Sequence, residues 1–308
     1  MKHFFRLFRV VNLLIIVLTM VAVAYYLIAS HNYLSVDFNV LDYSLLILTT
    51  VIIAAAGNLI NDYFDVKADR VNRPKKLIVT RHLKKRWAIL IHWTLNIMAV
   101  FFSILLTIRY NSFLFLFVHL MSMNLLWFYS VHFKKKLFVG NIIIAGLTAV
   151  VPLLSVWYFK VANESSLPYN VFHPETWSTN LNYSFVYFTA LCAFFQNWSR
   201  EISKDIQDIQ GDKLIHVVSL PMKYGVNKAG WISLSILQFP LILGFLFIYN
   251  NWIEVNLISI FLLIISGLIN LSTIYFFLKR KTFPFELVNT LIKWSMLVGV
   301  ISLFTNTL

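Results

Sequence analysis

The sequence has little charge and few of the residues that usually separate domains. Only 13% of its 308 residues are charged, whereas 59% are hydrophobic; soluble domains usually have about 25% charged residues. This composition excludes an ordinary soluble protein. Nine glycines and seven prolines are present, and they form no linker that divides the chain. We therefore interpret 1–308 as a single integral membrane domain, with 1–160 and 161–308 as candidate pseudo-repeat halves.

Cysteine is almost absent. Cys192 is the only cysteine, so a disulfide within the chain and a metal site made of clustered cysteines are both excluded. Because Cys192 lies inside an apolar stretch, we interpret it as a small packing residue.

Long apolar runs recur along the chain. A bilayer core of about 30 Å needs about 20 apolar residues per crossing helix. Nine windows satisfy this requirement: 8–29, 41–60, 87–108, 112–131, 137–159, 181–199, 230–249, 255–278 and 286–305. They predict an all-α membrane protein with nine transmembrane helices. The segment 161–183 contains two prolines and several polar residues and is predicted to form an irregular external loop.

The first apolar window follows a basic N-terminus, as in a signal peptide, and Ala22-Val23-Ala24 resembles a cleavage site. The apolar run continues to Ala29, however, and many further crossings follow. We therefore predict a helix that is not cleaved.

The formal net charge of +13 would also suit a nucleic-acid-binding protein, but the distribution of the charge argues against nucleic acid. Of the 26 Lys and Arg residues, 23 fall in alternate loops: 2–9, 67–86, 134–136, 200–228 and 279–281. The positive-inside rule then predicts a cytoplasmic N-terminus and an external C-terminus. Basic loops also favour membrane lipid headgroups and anionic substrates.

Two acidic segments share one spacing, Asp-x-x-Asp-x-x-x-Asp, with a constant offset of 143 residues. The two trios are Asp62, Asp65 and Asp69, and Asp205, Asp208 and Asp212. On an α-helix such positions lie within about 60° of one another, so each trio shares one face. Each trio follows an even-numbered crossing, the second or the sixth, and therefore lies at the predicted cytoplasmic side.

Carboxylates that crowd one helix face at a membrane boundary repel one another unless a cation neutralises them. A single such segment is commonly a solvated surface, but six of the 13 acidic residues of this chain lie in the two trios. Mg²⁺ prefers carboxylate and phosphate oxygens, and it usually binds through one or two carboxylates plus substrate phosphates. The pair of trios therefore predicts Mg²⁺ that bridges to a diphosphate. Neither segment has the glycine and closing glutamate of a calcium-binding EF-hand loop.

At these residues the sequence resembles the UbiA superfamily of intramembrane prenyltransferases. GNLINDYFDVKADRVNRP at 57–74 is similar to the first motif of that family, and REISKDIQDIQGDK at 200–213 is similar to its second. A weaker similarity is YSVHFKKKLFVGN at 129–141. The segment KKLIVTRHLKKR at 75–86 departs from the Pro-Ser-Gly stretch of many members. The resemblance implies that this segment shapes the cap over the site.

The resemblance implies a helical bundle around a central cavity that opens to lipid and is capped on the cytoplasmic side by the acidic loops. The implied metal-binding residues are Asn61, Asp62, Asp65, Asp69, Asp205, Asp208 and Asp212, and among them Asp65, Asp69, Asp208 and Asp212 are the candidate catalytic residues. The candidate substrate-binding residues are Asn61, Arg70, Arg73, Lys134, Lys204 and Lys213. Basic residues near the trios are also what the positive-inside rule alone would produce.

The reaction implied by the resemblance is Mg²⁺-dependent transfer of a prenyl group from a prenyl diphosphate to a hydrophobic or amphiphilic acceptor. The wording of the two motifs is most similar to the branch that prenylates geranylgeranylglyceryl phosphate in ether-lipid synthesis. The alternative is an aromatic prenyltransferase of quinone biosynthesis, with 4-hydroxybenzoate or dihydroxynaphthoate as acceptor. A hypothesis of another class is a cation-coupled transporter built from two related halves. Transporter charges usually lie near the midplane of the bilayer, whereas both trios are predicted at one face.

Overall fold

The computed structural model describes residues 7–30, 36–163, 183–280 and 283–307. Eleven α-helices make up most of this described part. They are α1 Val10–Ala29, α2 Val40–Phe64, α3 Val66–Asn72, α4 Lys85–Tyr110, α5 Leu114–Val131, α6 Val139–Asn163, α7 Ser184–Leu214, α8 Leu220–Tyr224, α9 Val226–Tyr249, α10 Leu257–Lys279 and α11 Phe285–Thr305. The only β-type pairing within these ranges is an isolated bridge between Val79 and Leu83.

Each predicted window falls on one long helix, but α7 differs from the other eight. Within the described ranges, eight helices are long and apolar enough to cross a membrane, and α7 is not among them. The second half of α7, from Arg200 onward, carries the charged second motif. The whole of α7, with 31 residues, extends over about 46 Å, well beyond a bilayer core of about 30 Å. The crossing at 184–199 therefore stays a prediction, and the charged half extends the same helix towards the site.

The helix ends follow local sequence signals. The Asn39 side chain accepts hydrogen bonds from the backbone amides of Leu41 and Asp42 at 2.9 and 3.2 Å, and so caps the start of α2. Asn111 ends α4 in the left-handed conformation, with φ of 47°, which asparagine tolerates better than most residues. The predicted external loop begins later than expected, because α6 continues to Asn163; residues 164–182 of that loop lie outside the described ranges.

The helices pack around a central cavity. In this bundle, α7 packs against α6, α9 and α11, while α2 packs against α4 and α5, and α11 also contacts α1. The largest core cluster lies at the end away from the acidic segments and includes Tyr26, Tyr43, Tyr158 and Phe185. There the Tyr43 hydroxyl donates to Ser155 Oγ at 2.8 Å. We call the other end, where both aspartate trios lie, the acidic end.

The outer surface of the bundle is apolar. Ile97 on α4, Phe245 on α9 and Leu268 on α10 are 67%, 68% and 58% exposed, and many other large apolar side chains are exposed beside them. Soluble monomers rarely expose contiguous apolar surface of this kind, whereas lipid-facing helices do. The chain is therefore an integral, multi-pass membrane protein.

Candidate active site

The first acidic segment lies where α2 passes into α3. Asp65 stands between the two helices, but the helical hydrogen bonds continue through it: its amide bonds to the Asn61 carbonyl at 2.9 Å, and its carbonyl accepts from the Asp69 amide at 2.8 Å. The helical phase is therefore kept across the junction. Asn61, Asp62, Asp65 and Asp69 all line the central cavity, as expected if the aspartates share one helix face.

The second acidic segment is a continuous stretch of α7. Asp205, Asp208 and Asp212 line the same cavity from this helix. The cavity-lining face of α7 also extends away from the acidic end through Glu201 and Asn197, at intervals of about one turn. One helix thus presents a row of oxygen-bearing side chains along the cavity.

Asn72 on α3 and Gly211 on α7 hold the two acidic segments together, and we call these two residues the clamp. The Asn72 side chain donates to the Asp208 carbonyl at 2.9 Å and accepts from the Gly211 amide at 2.7 Å. Glycine is needed here, because a Cβ at position 211 would lie only 2.5 Å from the Ala68 carbonyl oxygen. The close approach of α3 to α7 therefore depends on Gly211, and it brings residues that are 139 positions apart into one site.

Cations neutralise part of the carboxylate charge. Arg9 pairs with Asp62 at 2.8 Å and Arg73 with Asp208 at 2.5 Å, while Lys134 pairs with Asp65. Burial alone would lower the pKa of Lys134, but the Asp65 charge outweighs it and raises that pKa, so the lysine stays charged. Asp205 instead accepts a hydrogen bond from the Asn141 side chain at 2.9 Å, and Lys204 pairs with Glu201.

Three carboxylates of the two trios form no ion pair within the described residues, and one of them, Asp205, accepts the hydrogen bond from Asn141. The other two are Asp69 and Asp212. Burial raises the pKa of each to about 6, and other aspartates add to the rise. Burial likewise raises the pKa of Asp205 to about 7. Carboxylates that are this costly to ionise are suited to binding a further cation.

The oxygen atoms at the site fit Mg²⁺ together with phosphate. In the described part of the chain no group of three acidic, histidine or cysteine side chains is placed to hold a metal ion, so a metal would need ligands from substrate as well. Asn61 Oδ1 and Asp208 Oδ1 are buried and have no hydrogen-bond partner. Buried polar atoms are normally satisfied, and these two are hard oxygen donors of the type Mg²⁺ prefers.

The cavity itself is amphipathic. Its volume is about 1000 Å³, at the upper end of the range usual for ligand sites. The carboxylates and cations lie at the acidic end, whereas the deeper walls are apolar, with Ile16, Ile53, Leu147, Val151 and Leu154 among the lining residues. This shape suits a ligand with a charged head and a long apolar chain.

Some of the predicted basic substrate-binding residues line the cavity, and others do not. Arg73, Lys134 and Lys204 line the cavity, whereas Arg70 and Lys213 are exposed and are not among the lining residues. Pro74 follows Arg73 and disfavours helix at that residue. Arg73 accordingly leaves α3 with φ of −144°, and its side chain reaches Asp208 on α7.

Sequence reasoning missed several residues that the structure brings to the site: Arg9, Asn72, Asn141, Arg200 and Glu201. Arg200 and Glu201 belong to the stretch that resembles the second motif, so the motif wording was an available signal. Arg9 gave none, because a basic residue before the first crossing is expected in any protein with a cytoplasmic N-terminus. The segment before α1 reaches the site because Leu7 and Phe8 pack in a cluster with Ile78 and Val79, from the stretch that departs from the family pattern.

Several known proteins that are similar in sequence to this chain share one name. A digeranylgeranylglyceryl phosphate synthase of Methanococcus aeolicus is 30% identical over 67% of this chain and 66% of its own length. The synthase of Methanococcus maripaludis strain C6 is 31% identical over 80% of this chain and 78% of its own length. Some relatives are matched over less of their length, such as 59% for the Thermococcus sibiricus synthase.

Solved structures share the fold. A structure described as a digeranylgeranylglyceryl phosphate synthase in membranes has a TM-score of 0.64 at 24% identity and covers 99% of this chain and 98% of its own. A UbiA homologue from Archaeoglobus fulgidus, bound to DMAPP and Mg²⁺, has a TM-score of 0.57 at 15% identity and covers 98% of this chain and 99% of its own. The UbiA prenyltransferase family model matches residues 15–287. The chain belongs to the UbiA prenyltransferase family.

Proposed function

We propose that this protein is a Mg²⁺-dependent prenyltransferase that transfers a prenyl group from its diphosphate to a phosphorylated glycerol lipid, with geranylgeranylglyceryl phosphate as the best candidate acceptor. One observation supports this proposal above all. The clamp of Asn72 and Gly211 holds the two aspartate segments together at the acidic end of a cavity whose deeper walls are apolar. The names of the relatives support the choice of acceptor.

The donor diphosphate would bind at the acidic end. The residues proposed to hold Mg²⁺ are Asn61, Asp62, Asp65, Asp69, Asp205, Asp208 and Asp212. The proposed dependence of the reaction on Mg²⁺ is supported by the UbiA homologue that is bound to DMAPP and Mg²⁺. When bound, Mg²⁺ supplies neutralisation of the negative charge that grows on the leaving diphosphate. Arg73, Lys134 and Lys204, which line the cavity, are proposed to donate hydrogen bonds to phosphate oxygens. Arg70 and Lys213 remain proposed phosphate contacts that would first have to turn inward.

The transfer needs no covalent bond to the protein. The C1–O bond of the prenyl diphosphate breaks, its electron pair stays on the diphosphate, and the allylic cation is attacked by the acceptor hydroxyl oxygen. The hydroxyl proton passes to the departing diphosphate as the ether bond forms. The apolar walls hold the isoprenoid chain and exclude water, which would otherwise capture the cation. Oriented binding of both substrates supplies much of the rate enhancement.

We further propose that the acidic end faces the cytoplasm, with the N-terminus cytoplasmic and the C-terminus external. Arg9 and Thr305 lie at opposite ends of the bundle, since Arg9 contacts Asp62 while Phe304 packs on Tyr25 at the far end of α1. The basic residues of 67–86 and 134–136 are near the acidic end, and positive loops favour the cytoplasmic side.

A direct test incubates the purified protein with geranylgeranyl diphosphate, Mg²⁺ and a panel of acceptors, followed by mass analysis of the lipid products. We expect product with geranylgeranylglyceryl phosphate and none after chelation of Mg²⁺. Product with 4-hydroxybenzoate or dihydroxynaphthoate alone would favour the aromatic alternative. Ion flux in proteoliposomes without prenyl diphosphate, together with no transfer to any acceptor, would favour the transporter hypothesis.

The apparent Mg²⁺ affinity is expected to fall as the pH is lowered. Asp69 and Asp212 bind metal as carboxylates, and each has a pKa of about 6 in the metal-free protein, so each takes up a proton as the pH falls through about 6. The affinity should weaken about tenfold per pH unit below that value for each group, whereas an ordinary aspartate, with a pKa of about 3.9, would cause no loss there.

This pH dependence can be measured by Mg²⁺ titration of activity between about pH 7.5 and about pH 5.5, a range that includes the raised pKa values. Titration of the diphosphate itself is common to all variants, so D69N and D212N isolate the side chains, and each should flatten part of the dependence. An identical pH dependence in the wild type and in both variants would contradict the assignment.

A further inference from the structure

Arg200 is a cavity cation that forms no ion pair within the described residues, although the charge of the adjacent Glu201 attracts it. Its Nη1 donates to the Asn197 side-chain oxygen at 3.2 Å, and its buried Nε has no partner. The other arginines of the cavity, Arg9 and Arg73, form ion pairs and are close enough to Arg200 to repel its charge. Burying a guanidinium with an unsatisfied N–H beside other positive charges costs folding free energy unless an anion binds to it.

Three helices bring cations to neighbouring levels of the cavity. Tyr26 on α1 contacts Phe185 on α7, and counting from that contact places Arg9 and Arg200 about 25 and about 22 Å towards the acidic end. The two are therefore at nearly the same height on adjacent walls.

The third cation comes from α11. The Gln196 side chain donates to Ser295 Oγ at 2.8 Å, which fixes the relative height of α7 and α11. Counting from this bond, Lys293 lies about 3 Å and Arg200 about 6 Å towards the acidic end, so Lys293 is within about one helical turn of Arg200. Lys293 also lines the cavity. A lysine within a membrane-spanning helix is expensive and commonly marks a functional site.

This basic group lies deeper than the proposed metal-binding residues of α7, and Arg9, which pairs with Asp62, joins it to the metal site. Asp208 and Asp212 lie 8 and 12 residues beyond Arg200 on the same helix, about 12 and about 18 Å nearer the acidic end. Glu201 is the acidic residue at the same level as Arg200, and its charge is matched by Lys204. Because Arg9 is paired with Asp62 and Lys204 with Glu201, the anion-binding capacity at this level, below the diphosphate and above the apolar walls, rests on Arg200.

We propose that Arg9 and Arg200, with Lys293 about half a helical turn deeper, bind the phosphate group of the amphiphilic acceptor. This inference rests on the proposed prenyl transfer. A phosphate monoester offers several oxygens and accepts hydrogen bonds from more than one cation at a time. With the phosphate at this level, a hydroxyl on the same glycerol faces the acidic end and the donor diphosphate, while the acceptor's ether-linked chain extends along the apolar walls.

The test compares R200Q and K293Q with R81Q, a matched control at an exposed arginine outside the cavity. Binding of geranylgeranylglyceryl phosphate and of its dephosphorylated form is measured by calorimetry on metal-free protein without prenyl diphosphate, and transfer kinetics are measured in parallel. We expect Kd and KM for the phosphorylated acceptor to rise about 10- to 100-fold in R200Q, with a smaller rise in K293Q, because a charged hydrogen bond is lost. R81Q and all values for the dephosphorylated form and for geranylgeranyl diphosphate should change little.

Several outcomes would overturn the inference. They are an unchanged Kd for the phosphorylated acceptor in both R200Q and K293Q, an equal rise for the two acceptor forms, and a rise confined to the KM of geranylgeranyl diphosphate or to the binding of an aromatic carboxylate. If binding of the phosphorylated acceptor is lost in R200Q but the wild type transfers no prenyl group to it, the subsite stands and the proposed reaction fails. K293Q, on another helix, keeps the inference testable if R200Q does not fold.

Discussion

Replacing Asp65 or Asp208 by asparagine is expected to lower kcat by about 100- to 1000-fold, the usual cost of removing one group that stabilises charge developing in a transition state. Each change removes a negative charge at the position proposed to hold Mg²⁺ against the diphosphate, but keeps nearly the same side-chain volume. Steady-state kinetics with saturating Mg²⁺ and geranylgeranyl diphosphate would measure the effect.

The two variants differ in their consequences for folding. Asp65 is buried and pairs with Lys134, so D65N leaves a buried lysine without its partner and should unfold at a lower temperature. Asp208 is 22% exposed, so D208N should be closer to the wild type in stability. The control is D37N, since Asp37 is an exposed carboxylate outside the cavity. Full Mg²⁺-dependent activity in folded D65N and D208N would refute the site assignment.

Replacing Gly211 by alanine is expected to reduce activity about 100-fold, because displacing catalytic groups by about 1 Å commonly has an effect of this size. The added Cβ would meet the Ala68 carbonyl oxygen at 2.5 Å, and a backbone oxygen in a helix cannot turn aside as a flexible side chain can. The segments α3 and α7 must therefore separate, which moves Asp208 and Asp212 away from Asp65. Overpacking of this kind destabilises a protein by about 1–3 kcal/mol.

The matched control for Gly211 is Gly146 on α6, where an added Cβ would meet nothing within 4 Å. G146A should keep wild-type activity and thermal stability. N72A removes both hydrogen bonds of the clamp without adding an atom, and it should lower activity in the same direction as G211A but by less. If G211A retained wild-type kinetics and melting temperature, the close approach of α3 and α7 would not be needed for the reaction.

The helices were predictable because lipid imposes a simple rule on sequence. A crossing helix must be apolar over about 20 residues, so each predicted window falls on a long helix of the structure. The exception is α7, which is less apolar than the other long helices. It carries Glu201 and the second aspartate trio into the cavity, and these charged residues interrupt its apolar sequence. Helix ends shifted by a few residues, as at Phe64 and Asn163, because hydropathy reports burial in lipid rather than hydrogen bonding at the helix end.

The acidic faces were also predictable, since the spacing of residues along a helix decides which side chains share a face. Arg70 and Arg73 show where that reasoning stops. Both follow the first trio and both are basic, but Arg70 is exposed whereas Arg73, released from the helix before Pro74, reaches Asp208 on α7. Their difference depends on a neighbouring helix that is distant in the sequence.

By itself, the sequence determined that the chain lies in a membrane, that it is helical, and that two segments of the same spacing each carry a carboxylate face, because hydropathy and helical periodicity are local properties. Only the tertiary structure decided which cations neutralise those carboxylates, that Asn72 and Gly211 hold the two segments together, and that Arg9, Arg200 and Lys293 come to neighbouring levels of one cavity. These contacts join residues far apart in the chain, and they follow from the order in which the helices pack, which no local pattern specifies.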